Sequence, residues 1–543
     1  MSLDTPATIL ARTLREAGVT RMFGLPGGEI LDFLEAARGV GIRFLLTRHE
    51  ATAAFMADVT GQIQGRPGVC VSTLGPGAVN MTLGVANAFL DRSPVLAITA
   101  ALPRAAAPYA THQQLDLNAV YRPFTKDAVT LDGVDTEAKV RRAIRTAVSP
   151  RRGPVHIALP SDVARQDERA STAPEEISLR ADAAPPAPDE DVERVAKAIA
   201  AARRPVVIVG LDVDPRTDAS AVRAFVDGLG APTFVTPKAK GLLPEDDALF
   251  CGVCAGVAGD ALVVELFERA DLLVGVGFDP VESDKLWHHT RPLVSVGPVS
   301  IASGEFRPRS EAVGNLATTL PALLGRARPA FEWEGDVCAR FRERLEEALR
   351  PAARPRGLSG YELTRALRAL LPRDAILATD VGSIKSITTQ AWTSYAPLEF
   401  FESNGLSAMS YAFPAAMAAR LEFPDRPVLC TIGDGGFGMT LAEVETCVRE
   451  RIHFVTVVFD DDGLSLIDVA QRRRGYPTEG VRYGRVDFAA AAAGLGAWAR
   501  RVETMEALED AVREGLRLDR PVVVDAVVDP AEYFAQHPRA RSG

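Results

Sequence analysis

Val428-Leu429-Cys430-Thr431-Ile432-Gly433-Asp434-Gly435-Gly436 is the stretch that decides the fold class. Its first five residues read as a buried strand, and the glycines around one carboxylate read as the turn that leaves it. A helix is expected from Thr440 to Glu450, with Leu441, Val444 and Val448 on one face and Thr440 as its N-cap. A second apolar strand, Phe454 to Phe459, then runs into Asp460-Asp461-Asp462. Strand, helix and strand in succession make a βαβ unit with parallel strands. Asp434 and Asp461 therefore leave adjacent strands at one sheet edge, where open α/β sheets bind ligands. Glycine backbone admits a phosphate closely, and two carboxylates suit a Mg2+ ion carrying a diphosphate. Either acid alone would be an ordinary turn or helix cap; the spacing of the pair gives the signal.

The same alternation extends in both directions. Upstream, strands are expected at Arg43–Thr47, Gly68–Ser72, Val95–Ala100 and Val155–Leu159, with helices at Glu50–Gln64 and Asn80–Asp91 between them. A middle block carries Pro205–Gly210, Thr233–Val235 and Asp271–Val276; the last block adds Ala375–Thr379 and Pro521–Val528. The fold class is α/β, with three doubly wound parallel-sheet domains at 1–165, 190–325 and 358–543. The first linker is rich in Glu, Ala and Pro. The second reads as a charged helix, Phe341 to Leu349, followed by Pro-Arg repeats. No internal repeat has a fixed period.

A chain of 543 residues holds about three domains at roughly 100–200 residues each. A net charge of −10 argues against a nucleic-acid partner. Residues Met1 to Thr5 lack the basic-then-apolar pattern of a secretory leader, and Phe488 to Ala499 is too short to span a bilayer, so no membrane contact and a cytoplasmic location are expected. The six cysteines are scattered and do not read as a disulfide framework. Cys251 and Cys254 have zinc-ligand spacing but no second pair nearby, which favours two small buried residues at a strand end.

Several further turns cluster in the first block. Phe23-Gly24-Leu25-Pro26-Gly27-Gly28 and Leu74-Gly75-Pro76-Gly77-Ala78-Val79-Asn80 are glycine-rich openings after strands, and Arg48-His49-Glu50 places a carboxylate at a helix start. For Glu50 alone, a helix cap is the ordinary reading. With Leu90-Asp91-Arg92-Ser93-Pro94-Val95, His112-Gln113, Gly153-Pro154-Val155, the Asp434 turn and Asp461, these stretches in this order resemble the thiamine-diphosphate enzymes of the acetolactate synthase type, over nearly the whole chain.

The resemblance implies a first domain binding the aminopyrimidine, a central domain, and a third binding the diphosphate. It implies thiamine diphosphate and Mg2+ as cofactors, and a homodimer or homotetramer whose active sites lie between subunits. Glu50 matches the glutamate facing N1′ of the pyrimidine, a role in proton transfer within the cofactor. Asp434, Asp461 and the Gly463 carbonyl match the metal ligands. Met409 matches the bulky residue that bends the cofactor, with Ser407 and Met409 backbone on the pyrimidine. Gly382 and Ser383 match a diphosphate contact, and Gly433, Gly435, Gly436, Pro26, Gly27, Asn80 and Leu464 complete the cofactor-binding set. Gln113 resembles a glutamine near the reacting carbon, with His112 as its assistant or as a structural histidine. The implied reaction is decarboxylation of a 2-oxo acid, pyruvate first, with the fragment joined to a second carbonyl. Release of an aldehyde, a carboxyethylarginine synthase-like transfer, and a non-catalytic binding relative are the alternatives; the presence of Glu50, Asp434 and Asp461 speaks against the last.

Three positions depart from the pattern. Gly277-Phe278-Asp279-Pro280-Val281-Glu282 stands where flavin-containing members carry Arg-Phe-Asp-Asp-Arg, so FAD is expected to be absent. Ala470 stands where biosynthetic members carry a tryptophan. The metal loop reads Asp460-Asp461-Asp462, and its extra carboxylates would repel a diphosphate unless they turn away or are hydrogen-bonded. Gln471-Arg472-Arg473-Arg474 reads as a solvated helix face or as contacts for an anionic acceptor.

Overall fold

The computed structural model describes residues 4–106, 109, 112–169, 177–181, 184–256, 258–282, 291–304, 306–327, 331–350 and 357–536. The Pro-Arg repeats of the second linker and part of the first linker lie outside them.

Three six-stranded sheets form, all parallel. The first contains β1 (Arg21–Gly24), β2 (Arg43–Leu46), β3 (Gly68–Ser72), β4 (Val95–Ala101), β5 (Asp127–Thr130) and β6 (Val155–Pro160). The second contains β7 (Pro205–Val209), β8 (Thr233–Val235), β9 (Phe250–Val253), β10 (Leu272–Val276), β11 (Leu293–Gly297) and β12 (Ser310–Val313). The third contains β13 (Ile376–Thr379), β14 (Phe400–Glu402), β15 (Val428–Gly433), β16 (Val455–Asp460), β17 (Trp498–Val502) and β18 (Val522–Val527). Central strands such as β3 and β6 are buried along their whole length, as parallel strands covered on both faces must be. Outer helices such as Met505–Gly515 are amphipathic, burying Leu508, Ala511, Val512 and Gly515, one stripe at helical spacing.

The strand order of the first sheet is β2-β1-β3-β4-β6-β5, and that of the third is β14-β13-β15-β16-β18-β17. These are the same topology, though no sequence repeat announces it. The middle sheet differs, running β12-β11-β10-β7-β8-β9. In the first and third sheets the order reverses between β1 and β3, and between β13 and β15. Such switch points open a crevice at the carboxyl ends of the strands.

The chain divides into two compact units, residues 1–182, 405–424 and 442–452 in one and 183–404, 425–441 and 453–543 in the other. In the first unit, the helix Ala412–Glu422 packs beside Glu50–Gln64: Tyr411 and Phe55 meet edge-to-face at 5.5 Å, and Arg21 pairs with Glu422 at 2.7 Å. The second unit holds the middle and third sheets. It also holds a disulfide from Cys251 on β9 to Cys338 on the helix Val337–Leu349, a pairing that the scattered spacing did not indicate; Cys254 is a buried free thiol. Among the described residues, no helix is long and apolar enough to cross a membrane.

Two local expectations are corrected. Gly75 to Asn80 is not a turn but the opening of the helix Gly75–Leu90. Pro76 fits there because the first helical N–H groups have no intrahelical acceptor. Thr440 caps nothing: it ends a short helix, Asp434–Thr440, and donates its hydroxyl back to Gly436 and Phe437 carbonyls. The following helix starts at Glu443.

Candidate active site

The residues expected to bind cofactor, metal or substrate lie at or after the carboxyl ends of strands in the first or third sheet. In the first unit, Pro26 and Gly27 follow β1, Glu50 follows β2, Asn80 follows β3, and His112 and Gln113 follow β4.

Glu50 is the first residue of the helix Glu50–Gln64, yet it does not cap it. The cap is the His49 ring, whose Nδ1 accepts from Ala51 N at 3.1 Å. That leaves the buried Glu50 carboxylate available. Asn80 Nδ2 donates to its Oε2 at 3.1 Å, while Oε1 takes no hydrogen bond among the described residues. Gly77 closes the space behind it, since a Cβ there would lie 2.9 Å from Oε1. The Gln113 carbonyl approaches Gly75, where a Cβ would lie 3.0 Å from it, so this loop lies at the start of the same helix that carries Asn80. The His112 and Gln113 side chains are exposed. Gly27 abuts Thr73, whose hydroxyl donates to Glu29 at 3.1 Å. Ser407 belongs to the same unit and has a positive φ of 54°; Met409 beside it is half-buried.

In the second unit, Gly382 and Ser383 follow β13, Asp434 follows β15 and Asp461 follows β16. Ser383 opens the helix Ser383–Ala391. No atom lies within 4 Å of where a Cβ on Gly382 or Gly433 would stand, so backbone faces open space at both. Gly436 is the opposite case: a Cβ would lie 2.0 Å from Asp380 Oδ2, so only glycine lets that buried carboxylate approach.

The two acids are held differently. Asp434 Oδ1 accepts from Gly435 N at 2.6 Å and from the Tyr483 hydroxyl at 2.8 Å, and Oδ2 accepts from Gly463 N at 3.1 Å. Burial pushes its carboxyl up to about 6 in spite of those donors. Asp461 Oδ1 is buried with no hydrogen-bond partner. Burial, then the neighbouring Asp434 charge, pushes Asp461 up to about 8. Two carboxylates that repel each other, one buried and the other half-buried with an unpartnered buried oxygen, fit a divalent cation. Among the described residues no three His, Cys, Asp or Glu side chains gather in one cluster. A cation held by Asp434 and Asp461 would take its other oxygens from backbone, such as Gly463, from a ligand and from water. Leu464 precedes the helix Ser465–Arg473.

The third acid, Asp460, is turned out of this arrangement. Arg501 Nη1 donates to Asp460 at 2.7 Å and to Asp525 at 2.6 Å, across three adjacent strands. The sequence marked neither Arg501 nor Tyr483. Arg472 and Arg473 lie on the helix Ser465–Arg473 against Phe534, 5.5 and 5.0 Å from its ring centre, and Arg472 pairs with Asp468 at 3.2 Å.

Three family models cover most of the chain. Residues 4–120 match the thiamine pyrophosphate enzyme N-terminal TPP binding domain, 192–323 the central domain and 380–526 the C-terminal TPP binding domain. The chain is 32% identical to a catabolic acetolactate synthase of Raoultella terrigena, over 96% of this chain and 95% of that one. It is 30% identical to an acetolactate synthase of Bacillus subtilis, over 96% and 93%. It is 31% identical to a probable 2-ketoarginine decarboxylase of Pseudomonas aeruginosa, over 94% and 92%.

Proposed function

Because the chain belongs to the thiamine-diphosphate enzymes of the acetolactate synthase type, we propose that it decarboxylates pyruvate and joins the remaining two-carbon fragment to a second carbonyl compound. The observation that carries this reading is the buried Glu50 carboxylate with one oxygen held by Asn80 and the other open, in a chain similar to acetolactate synthases over its length.

Thiamine diphosphate supplies the electron sink that lets a 2-oxo acid lose carbon dioxide. The chain's part is to bind, orient and move protons. Glu50 Oε1 would meet N1′ of the aminopyrimidine, with Asn80 fixing the carboxylate's rotation. Pro26, Gly27, Ser407, Met409 and Leu464 would line the cofactor. Gly382, Ser383, Gly433, Gly435 and Gly436 would receive the diphosphate, consistent with the open space at Gly382 and Gly433. Asp434, Asp461 and the Gly463 carbonyl would hold Mg2+. Gln113 and His112 would attend the substrate. The same proposal takes residues 1–165, 190–325 and 358–543 as the pyrimidine, central and diphosphate domains. It includes a cytoplasmic location and a homodimer or homotetramer whose centres draw on two subunits; light scattering tests the assembly, and an active monomer overturns that part.

We place the enzyme among those without FAD. Glu282, in the stretch that would meet a flavin, is taken up by neighbouring segments: it accepts from Thr236 Oγ1 at 2.6 Å, Leu211 N at 3.0 Å and Lys238 N at 3.2 Å. Visible absorbance of purified protein decides this.

A simple decarboxylase is the second reading, favoured by the likeness to the Pseudomonas protein. A panel of 2-oxo acids with thiamine diphosphate and Mg2+, with and without an aldehyde acceptor, separates the two by product mass. Acetolactate from pyruvate supports carboligation, and aldehyde alone supports the second reading. Failure to consume any 2-oxo acid overturns both.

A further inference from the structure

We propose that Tyr483 is a positioning residue for the cation site, orienting Asp434 so that Oδ2 is presented to the metal. This rests on the reading of Asp434 and Asp461 as metal ligands. A carboxylate oxygen has two lone pairs. Asp434 Oδ1 has both engaged, by Gly435 N and by the Tyr483 hydroxyl, while Oδ2 has one donor, Gly463 N. The hydrogen bonds thus leave Asp434 Oδ2 for a cation, beside Asp461, whose buried Oδ1 has no partner.

Tyr483 reaches Asp434 from a strap that grips the metal loop itself. Leu464 N donates to Val481 O at 2.8 Å, and Gly463 and Arg482 form an antiparallel bridge. Arg482 Nη1 donates to the Asp461 carbonyl at 3.0 Å, and its Nη2 donates to Asp468 at 3.0 Å. Thr478 donates to the other oxygen of Asp468 at 2.8 Å. Asp468 therefore anchors the strap at two points, and the strap fixes both the loop after β16 and the acid after β15. Tyr483 is 38% exposed, so its ring is no core element and its hydroxyl is the part that meets the site. Partners that orient a metal ligand are typically worth about 10–100-fold in metal affinity.

The test is Tyr483→Phe, which keeps the ring and removes the hydroxyl. Mg2+ is titrated into the full-length protein with thiamine diphosphate present, read by calorimetry, beside wild type and Asp434→Asn. Tyr483→Phe is expected to weaken Mg2+ binding about 10-fold. Carbon dioxide release lost at low Mg2+ should return as Mg2+ is raised, a split that a general folding defect would not produce. Unchanged affinity overturns the inference. So does tighter binding, which would make the hydroxyl a competitor of the metal. If Asp434→Asn binds Mg2+ like wild type, the metal-site reading itself fails, and the inference falls with it.

Discussion

Glu50 and Asp434 reach their places by the same route and end in opposite surroundings. Each is the first residue of a helix that follows a parallel strand, and each is buried. Glu50 has one amide donor and no acidic neighbour among its hydrogen-bonded or close contacts. Asp434 has a second, half-buried carboxylate beside it, Asp461, and desolvation pushes the two up to about 6 and about 8. The difference separates two kinds of chemistry. A lone carboxylate with a free oxygen can exchange a proton with a ligand nitrogen. A repelling pair is settled by a cation.

The largest effect is expected at Asp461. Asp461→Asn removes a proposed metal ligand and should weaken Mg2+ by more than the about 100-fold attributed to outer partners. It should also raise the melting temperature of the metal-free protein, because one member of a repelling pair is gone. Calorimetry and thermal unfolding read the two effects; a lowered metal-free melting temperature would contradict the repulsion. Next is Arg501→Met, which leaves Asp460 and Asp525 buried without their shared guanidinium. A loss of about 3 kcal/mol is expected in chemical denaturation; a neutral result would show that Asp460 finds another partner.

A smaller effect is the pH dependence of the metal-free protein. Asp434 and Asp461 hold their protons to higher pH folded than unfolded, where an aspartate titrates near 3.9. The folded state binds more protons across that window, so stability falls as pH rises from about 4 to about 8. Mg2+ with thiamine diphosphate displaces those protons, so its stabilising increment should be greater at pH 8 than at pH 6. An increment that shrinks with pH would contradict the assignment. The smallest effect is Asn80→Ala, which frees Glu50 Oε2 and should lower the rate of carbon dioxide release by a factor near 10, about 1.4 kcal/mol.

The legible parts of this molecule were those written locally. The helix Glu50–Gln64 and strands β3 and β8 lie where their patterns put them, because central buried strands are continuous apolar runs. Five of the seven missed strands, β5, β9, β12, β14 and β17, are sheet edges. There one side is unpaired and polar residues are tolerated; β17 carries Arg500 and Arg501. The shared topology of the first and third sheets left no trace in sequence, since topology constrains burial rather than residue identity. At the candidate site, the glycine turns and acids were visible. The fate of Asp460 was not, because it is decided by Arg501 on a strand that pairs with β18, and Tyr483 lies on an irregular segment without a motif.

In the proposed function Glu50 serves the chemistry while Asp434 and Asp461 serve the cation. The direct measurement is carbon dioxide release from pyruvate by Glu50→Gln with thiamine diphosphate and Mg2+, alongside Mg2+ binding to the same protein. The expected result is a rate lower by about 100-fold or more with Mg2+ affinity retained. Carbon dioxide release at the wild-type rate would contradict it.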